Sequence, residues 1–428
     1  MLQGAWATVA ATIVGDRLTA QGDVVAIDAA RLFDGQGAPL TGGVRVVIGD
    51  GRVVAVGARS SVFLPAAATR IDAGDATVLP GLIDLHFHIE EDPALALRQL
   101  AHGVTTFRDP GEWMEVHAPL RARIAADRLP GPRLYLTGPH IDGEHPAYPN
   151  DSVVARDPDE ARRQALEAIA QGATAIKIYF RLPLASARAV IEVCRDQGVP
   201  VTAHLEILDA RPLLDAGLTG VEHITSFGAA IVPPMAAERY RQAVLADNAA
   251  RRDGRYALFA GADLDGSEAR ALYQVIERTR PFVDPTLAVF EARVDDPVGQ
   301  TSTISAAIRA RGFAQMQALL RRLHQHGASI VMGGHTEVPH AGRGEAPWRE
   351  LELLVSSGLS PREALAAATA HGAAFLGKGV DLGVLAPGRP ADLVVIDGNP
   401  LDDISAIRRV SRVMANGQWV DVARLRAL

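Results

Sequence analysis

Cysteine is almost missing from this 428-residue sequence: Cys194 stands alone. That excludes an intramolecular disulfide and any thiolate metal site. It lies in "AVIEVCRDQG", whose apolar spacing is helical, and is expected as a buried helix residue; no partner motif surrounds it as a nucleophile. Positive charge is also in deficit. Lys and Arg number 43 against 50 Asp and Glu, for a net charge of −7, and no basic cluster is long enough to form a footprint on nucleic acid or an anionic membrane. No stretch reaches the roughly 18 apolar residues of a membrane span. The leading "MLQGAWATVAATIVGDRLTA" has its first basic residue at Arg17 and so lacks the positive region of a signal peptide. The expectation is a cytoplasmic protein with residues 1–24 as an ordered or frayed leader. What remains, 48% hydrophobic and 22% charged, is an ordinary globular composition, large enough for more than one domain.

Two distant segments share one style. Residues 23–79 and 380–424 are short Val/Ile-rich strands separated by Asp-Gly, Gly-Gln-Gly and Asn-Gly turns, and "DGRV" and "NGQWV" each read as hairpins. One small β-sandwich built from both ends accounts for them, with boundaries at 1–79 and 380–428. The middle, 80–379, alternates strands with helices. Strand candidates are 79–88, 103–108, 132–138, 174–179, 199–205, 220–225, 281–289 and 328–335. Between them, "DPDEARRQALEAIAQG" offers Asp157 as N-cap, Pro158 at the first helical position, Glu160 to complete a capping box and Gly172 as stop; "SPREALAAATAHGAAFLG" repeats the scheme with Ser360, Pro361 and Glu363. Eight strands alternating with helices define an α/β fold of the (β/α)8 TIM-barrel type, with chemistry at the C-terminal strand ends.

Histidines gather at those ends. "GLIDLHFHI" closes strand one with His86 and His88, one residue apart and so on one face of a strand. Strand five ends in "TAHLE" with His204 and strand six in "VEHITS" with His223, while strand four carries Lys177 in "AIKIYF". Singly, each is as well explained by a hydrogen-bonded rim histidine or a lysine that reaches solvent. Together at one mouth they match the ligand types of a metal site. A lysine there is costly as an ammonium, whereas carbamylation by CO₂ would turn it into an anionic ligand able to bridge two cations.

On "LPGLIDLHFHI", "GVTTFRDPG" and the tail "LGVLAPGRPADLVVIDGNPLDDI", the chain resembles the amidohydrolase superfamily from about residue 25 onward. The resemblance is to its binuclear-metal, carbamylated-lysine branch of Xaa-Pro dipeptidase-like, aryl-amide and carboxypeptidase-like hydrolases. It implies two zinc ions per chain: His86 and His88 on the more buried metal, His204 and His223 on the second, and carbamylated Lys177 between them. It further implies attack of a metal-bound hydroxide on the amide of a small N-acyl amino acid, dipeptide or cyclic amide. Such barrels commonly form homo-oligomers; no part of this sequence sets a subunit number.

The chain departs from the family pattern at strand eight. Where the family has an aspartate, "IVMGGHTEVPH" places His335. Three readings stay open: His335 replaces the aspartate as base or ligand; one metal supports a different reaction of decarboxylase or isomerase type; or hydrolysis is lost. Glu337, two residues on, would face the same way in an extended segment, or else sit on the rim. On the substrate side, "GPHIDGEHPAYPND" reads as a long loop over the site. There His140 is a candidate for polarising the carbonyl and His145 for contacting substrate. Tyr179 and Arg181 are candidates for a substrate carboxylate, Arg181 alternatively a solvated charge. His340 and Arg343 fall in a further loop at the mouth, and Arg108 with Asp109 is expected as a structural ion pair.

Overall fold

The computed structural model describes residues 24–89, 92–127, 130–291, 302–338 and 340–428; the leader lies outside these. Hairpins organise the β-rich part. Strands Val44–Gly49 and Arg52–Ala58 are joined by Asp50-Gly51 at φ 51° and 70°, and Val410–Ala415 and Gln418–Trp419 by Asn416-Gly417 at 52° and 74°. Both turns need two left-handed residues, which Asp-Gly and Asn-Gly supply. They also touch: a Cβ on Gly417 would lie 2.2 Å from the Gly51 Cα. One sheet orders the strands 52–58, 44–49, 25–29 and 69–72; the other orders 418–419, 410–415, 393–397, 76–80 and 31–32. Ile27, Val46, Val53, Val78, Leu393, Val395 and Met414 form a core common to both sheets, so the sandwich draws on both chain ends.

Eight parallel barrel strands follow: β1 Leu82–Asp84, β2 Val104–Asp109, β3 Arg133–Leu136, β4 Ile176–Ile178, β5 Val201–Ala203, β6 Gly220–Glu222, β7 Phe282–Asp284 and β8 Ser329–Ile330. β1 to β3 pair in order, as do β4 to β8. The two arcs meet through Thr174 N donating to Leu136 O at 2.8 Å, and through Leu85 N donating to Met332 O at 2.9 Å. The barrel strand expected over 281–289 stops at Asp284: Pro285 cannot donate to a ladder, Thr286 takes φ 46°, and a helix begins at Leu287.

The helices follow their terminal chemistry. Asp157 caps Pro158–Ala170 by accepting from Glu160 N at 2.8 Å, but Glu160 turns outward to Arg156 N, so that capping box is half made. Ser360 and Glu363 complete theirs; their helix, Pro361–Ala367, breaks at Thr369 before a second, Ala370–Phe375. Cys194 is fully buried in Leu184–Gln197, where burial pushes its thiol up to about 12. Among the described residues, no helix is long and apolar enough to cross a membrane.

Candidate metal centre

The mouth is built on a latch between the first and last barrel strands. His86 and His88 lie just beyond β1, their ring centres 5.2 Å apart. His335 N donates to His86 O at 2.8 Å, and Thr336 Oγ1 accepts from His88 N at 2.6 Å and donates to His88 O at 3.0 Å. His335 and Thr336 both hold positive φ, 56° and 65°, a strained conformation for non-glycine residues that these bonds impose. The His335 ring is thereby stacked on His86, centres 5.0 Å apart and 16° from parallel. The same kink ends strand alternation, so Glu337 does not share the inward face. It is 55% exposed and pairs with Arg343 at 3.6 Å. Gly333 fits because it has no side chain: a Cβ there would meet Asp284 Oδ1 at 2.3 Å and the His86 Cβ at 2.6 Å.

Each inner imidazole has one nitrogen held from behind. His86 Nδ1 meets Asp284 Oδ2 at 3.0 Å, His223 Nδ1 meets Thr286 Oγ1 at 2.7 Å, and His204 Nε2 meets Glu206 Oε2 at 2.8 Å. His88 Nδ1 lies 3.6 Å from Asp109 Oδ1. Such partners fix ring orientation and tautomer and leave the opposite nitrogen for a cation. His86 Nε2 and His204 Nδ1 are indeed buried with no hydrogen-bond partner. Nitrogens of His86, His223 and His335 converge within 4.8 Å of one another. The His204 and His223 ring centres are 4.3 Å apart. Burial, reinforced by neighbouring cations, drives His86 and His223 well below 6.5; burial also takes His204 down to about 4 and His335 to about 3. Neutral rings with lone pairs facing one another are what a divalent cation requires, so the residues fit one.

Beneath the rings lies a buried ionic cluster. Lys177, 1% exposed, places Nζ 2.7 Å from Glu222 Oε2. Glu222 also accepts from Arg108 Nη2 at 2.7 Å and Thr202 Oγ1 at 2.5 Å; Arg108 holds Leu85 O as well. The expected Arg108–Asp109 pair is therefore not formed. Successive strand residues face opposite sides, which sends Arg108 inward to Glu222, while Asp109 faces His88 and His117, the latter at 3.2 Å. Burial holds Asp284 well above the carboxylate range and lifts Asp84, which accepts from His86 N and Gly334 N, to about 7.

The substrate-side candidates divide. His140 is not in a loop: His140–Asp142 is a short strand paired beside β4, and the ring is 5% exposed with neither nitrogen hydrogen-bonded. Tyr179 is buried against it, centres 4.5 Å apart, and against His204 at 4.8 Å. Arg181 instead donates from Nη2 to Val244 O at 3.0 Å. His145 and His340 are exposed, and Arg343 pairs with Asp92 and Glu337. Glu222 and Asp284 escaped the sequence reading, although "GVE" and "FVD" end barrel strands and the rule that selected the histidines covers them. Glu206, Thr286 and Asp109 gave no comparable signal, because each matters only through the imidazole it holds.

A parallel barrel with imidazoles at its strand ends and a two-ended β-sandwich defines a class of metal-dependent barrel protein. Residues 77–420 match the Amidohydrolase family, and the chain belongs to that family. It is 24% identical over 360 residues to adenine deaminase 3 of Rhizobium meliloti (82% of this chain, 51% of that protein). It is 31% identical over 191 residues to the dihydroorotase of Anaeromyxobacter sp. strain K (44% and 42%). With the imidazolonepropionase of Salinispora tropica, identity is 26% over 373 residues (82% and 85%). The chain thus spans about half or less of the length of the first two relatives. Among solved structures, a candidate prolidase from Bifidobacterium longum superposes with TM-score 0.70 at 27% identity, covering 95% of this chain and 98% of that one. A Xaa-Pro dipeptidase with bound methionine, at 19% identity and TM-score 0.69 (93% and 99%), shares the fold.

Proposed function

We propose that this protein is a metal-dependent hydrolase that cleaves the C–N amide bond of a small N-acyl amino acid, dipeptide or cyclic amide. The observation that carries the reading is the cluster of imidazoles at one barrel mouth, with His86, His204 and His223 each fixed from behind and two of these holding an orphaned buried nitrogen. His86, His88, His204, His223 and His335 would hold zinc, two ions per chain. A bound zinc ion supplies Lewis acidity toward the carbonyl and lowers the pKa of water to about 7. His335, stacked on His86 and with a ring nitrogen converging on those of His86 and His223, is assigned as a ligand more readily than as a base. His140 would donate to a substrate carbonyl, a role supported by its contact with Tyr179 and its two unpaired nitrogens.

Lys177 is assigned as the carbamylated bridge. Of the chain's 43 basic side chains only two are lysines, and one is buried here, where guanidinium could not be carbamylated. The modification consumes a neutral amine, so the Lys177–Glu222 contact must open for it to form. ¹³C-bicarbonate labelling should then give a carbamate NMR signal that is absent in Lys177→Met. Elemental analysis should find close to two zinc per chain, and a panel of N-acetyl amino acids and dipeptides should be hydrolysed only by the loaded protein. Turnover undiminished by complete metal removal would overturn the reading. Strong activation by His335→Asp over a nearly inert wild type would show that His335 is a loss of function and favour the altered-activity alternative.

A further inference from the structure

The helix inserted between β6 and β7 holds a cation whose role rests on the amide-hydrolase reading. Helix Arg251–Ala260 carries Arg251 and Arg255 four residues apart on one face. Their surroundings differ. Arg255 Nε lies 3.3 Å from Glu206 Oε1, and Glu206 is further held by Tyr240, Thr225 and His204. Arg251 has no carboxylate at ion-pair distance among the described residues. Its Nη2 donates to the Tyr148 hydroxyl at 2.5 Å, and its guanidinium carbon lies 4.9 Å from the Tyr148 ring centre and 5.8 Å from that of Phe180.

These residues adjoin the metal centre through a chain of ring contacts. Tyr148 and Tyr179 meet edge to face at 5.6 Å, and Tyr179 contacts His204 at 4.8 Å and His140 at 4.5 Å. His140 adds a 5%-exposed ring with two unpartnered nitrogens to the same wall. A guanidinium stacked on aromatic faces is pre-oriented as a fork and partly stripped of water, which suits it to a planar carboxylate rather than to solvent.

We propose that Arg251, assisted by the Tyr148 and Tyr179 hydroxyls, receives the free carboxylate of an N-acyl amino acid or dipeptide. The enzyme thereby selects substrates whose carboxylate belongs to the residue bearing the scissile amide nitrogen. An anion seated on Arg251 lies one ring away from His204, which brings the adjacent amide to the imidazole cluster. Arg181 lacks these aromatic contacts among the described residues, and its Nη2 donates to the Val244 carbonyl.

The test uses 3-benzoylpropionate, the ketone isostere of N-benzoylglycine with no amide to cleave, and its methyl ester, titrated calorimetrically into the zinc-loaded protein. Losing a charge-assisted hydrogen-bonded contact corresponds to about tenfold or more in affinity, so the acid should bind at least about tenfold tighter than the ester. Arg251→Met should bring the two within about twofold, and Arg251→Lys should restore part of the preference. Equal binding by wild type, or an undiminished preference in Arg251→Met, overturns the assignment. Should Arg251→Met fail to fold by circular dichroism, Tyr148→Phe replaces it: a several-fold loss for the acid alone supports the receptor, and no change refutes it. Kinetics separate the two readings. If acid preference persists but no N-acyl amino acid is hydrolysed, the hydrolase reading fails; if N-acetyl amino acids and their carboxamides turn over equally, the receptor fails.

Discussion

Thr286→Val isolates one hydrogen bond behind the metal centre. Thr286 is fully buried at φ 46°, and its hydroxyl lies 2.7 Å from His223 Nδ1. Valine keeps the volume and the β-branch, so the backbone strain at this φ is unchanged and only the hydroxyl is lost. The His223 ring, held neutral by burial and by nearby His204 and Lys177, then has a buried Nδ1 without a partner. Leaving such a group unsatisfied costs about 1–3 kcal/mol. Part of that cost is met by the tautomer that carries its proton on Nε2, which withdraws the lone pair from the cluster. Partners of this kind set metal affinity by about 10–100-fold. Zinc affinity, measured by competition with a chromophoric chelator at fixed pH, should fall by that factor in Thr286→Val and recover in Thr286→Ser. Affinity for Thr286→Val within about threefold of wild type would refute the idea that Thr286 orients His223.

Two further perturbations test the acids and cations under the site. Burial lifts Glu350, which accepts from Leu287 N and Ala288 N, from 4.5 up to about 8. The folded chain therefore keeps a proton that the unfolded chain releases, and wild-type stability, full below pH 4.5, declines as pH rises to 8. Glu350→Gln escapes this decline. Relative to wild type, its folding equilibrium should improve by up to about tenfold per pH unit across that window in urea titrations, and a pH-independent difference would contradict the assignment. Arg108→Met strips one of two cations from buried Glu222. In the metal-free protein, where the Lys177 ammonium stays on Glu222, the loss should lie near the low end of the range for broken buried pairs, about 3 kcal/mol by denaturant unfolding; a loss under about 1 kcal/mol would show the pair to be dispensable.

The site was legible in proportion to how locally each part is specified. Residues 86, 88, 177, 204, 223 and 335 are candidates from sequence because an apolar run ending in a chemically active residue is a short-range pattern, and the structure brings them to one barrel mouth. The residues that hold them were not, because Asp284 stands 198 positions from His86 and Asp84 stands 250 from Gly334, and no local spacing links them. Arg108 shows how a local reading fails: Asp109 is its neighbour in sequence, but strand alternation points the two side chains apart, and Glu222 takes the guanidinium from across the barrel. Carboxylate binding shows the same failure, since Arg181 follows β4 immediately but turns away, while Arg251 reaches the mouth from an inserted helix.

The sequence by itself determined what depends on a few neighbouring residues: the two left-handed hairpin turns, the Ser360 cap, the alternation of strand and helix, and the histidines at strand ends. Only the tertiary structure decided which ring nitrogen faces inward, which acids are buried without a counterion, and which arginine is set among aromatic rings beside the mouth. Those outcomes are set by barrel closure and by burial, which bring distant polar groups together away from water and make each one's pairing depend on all the others.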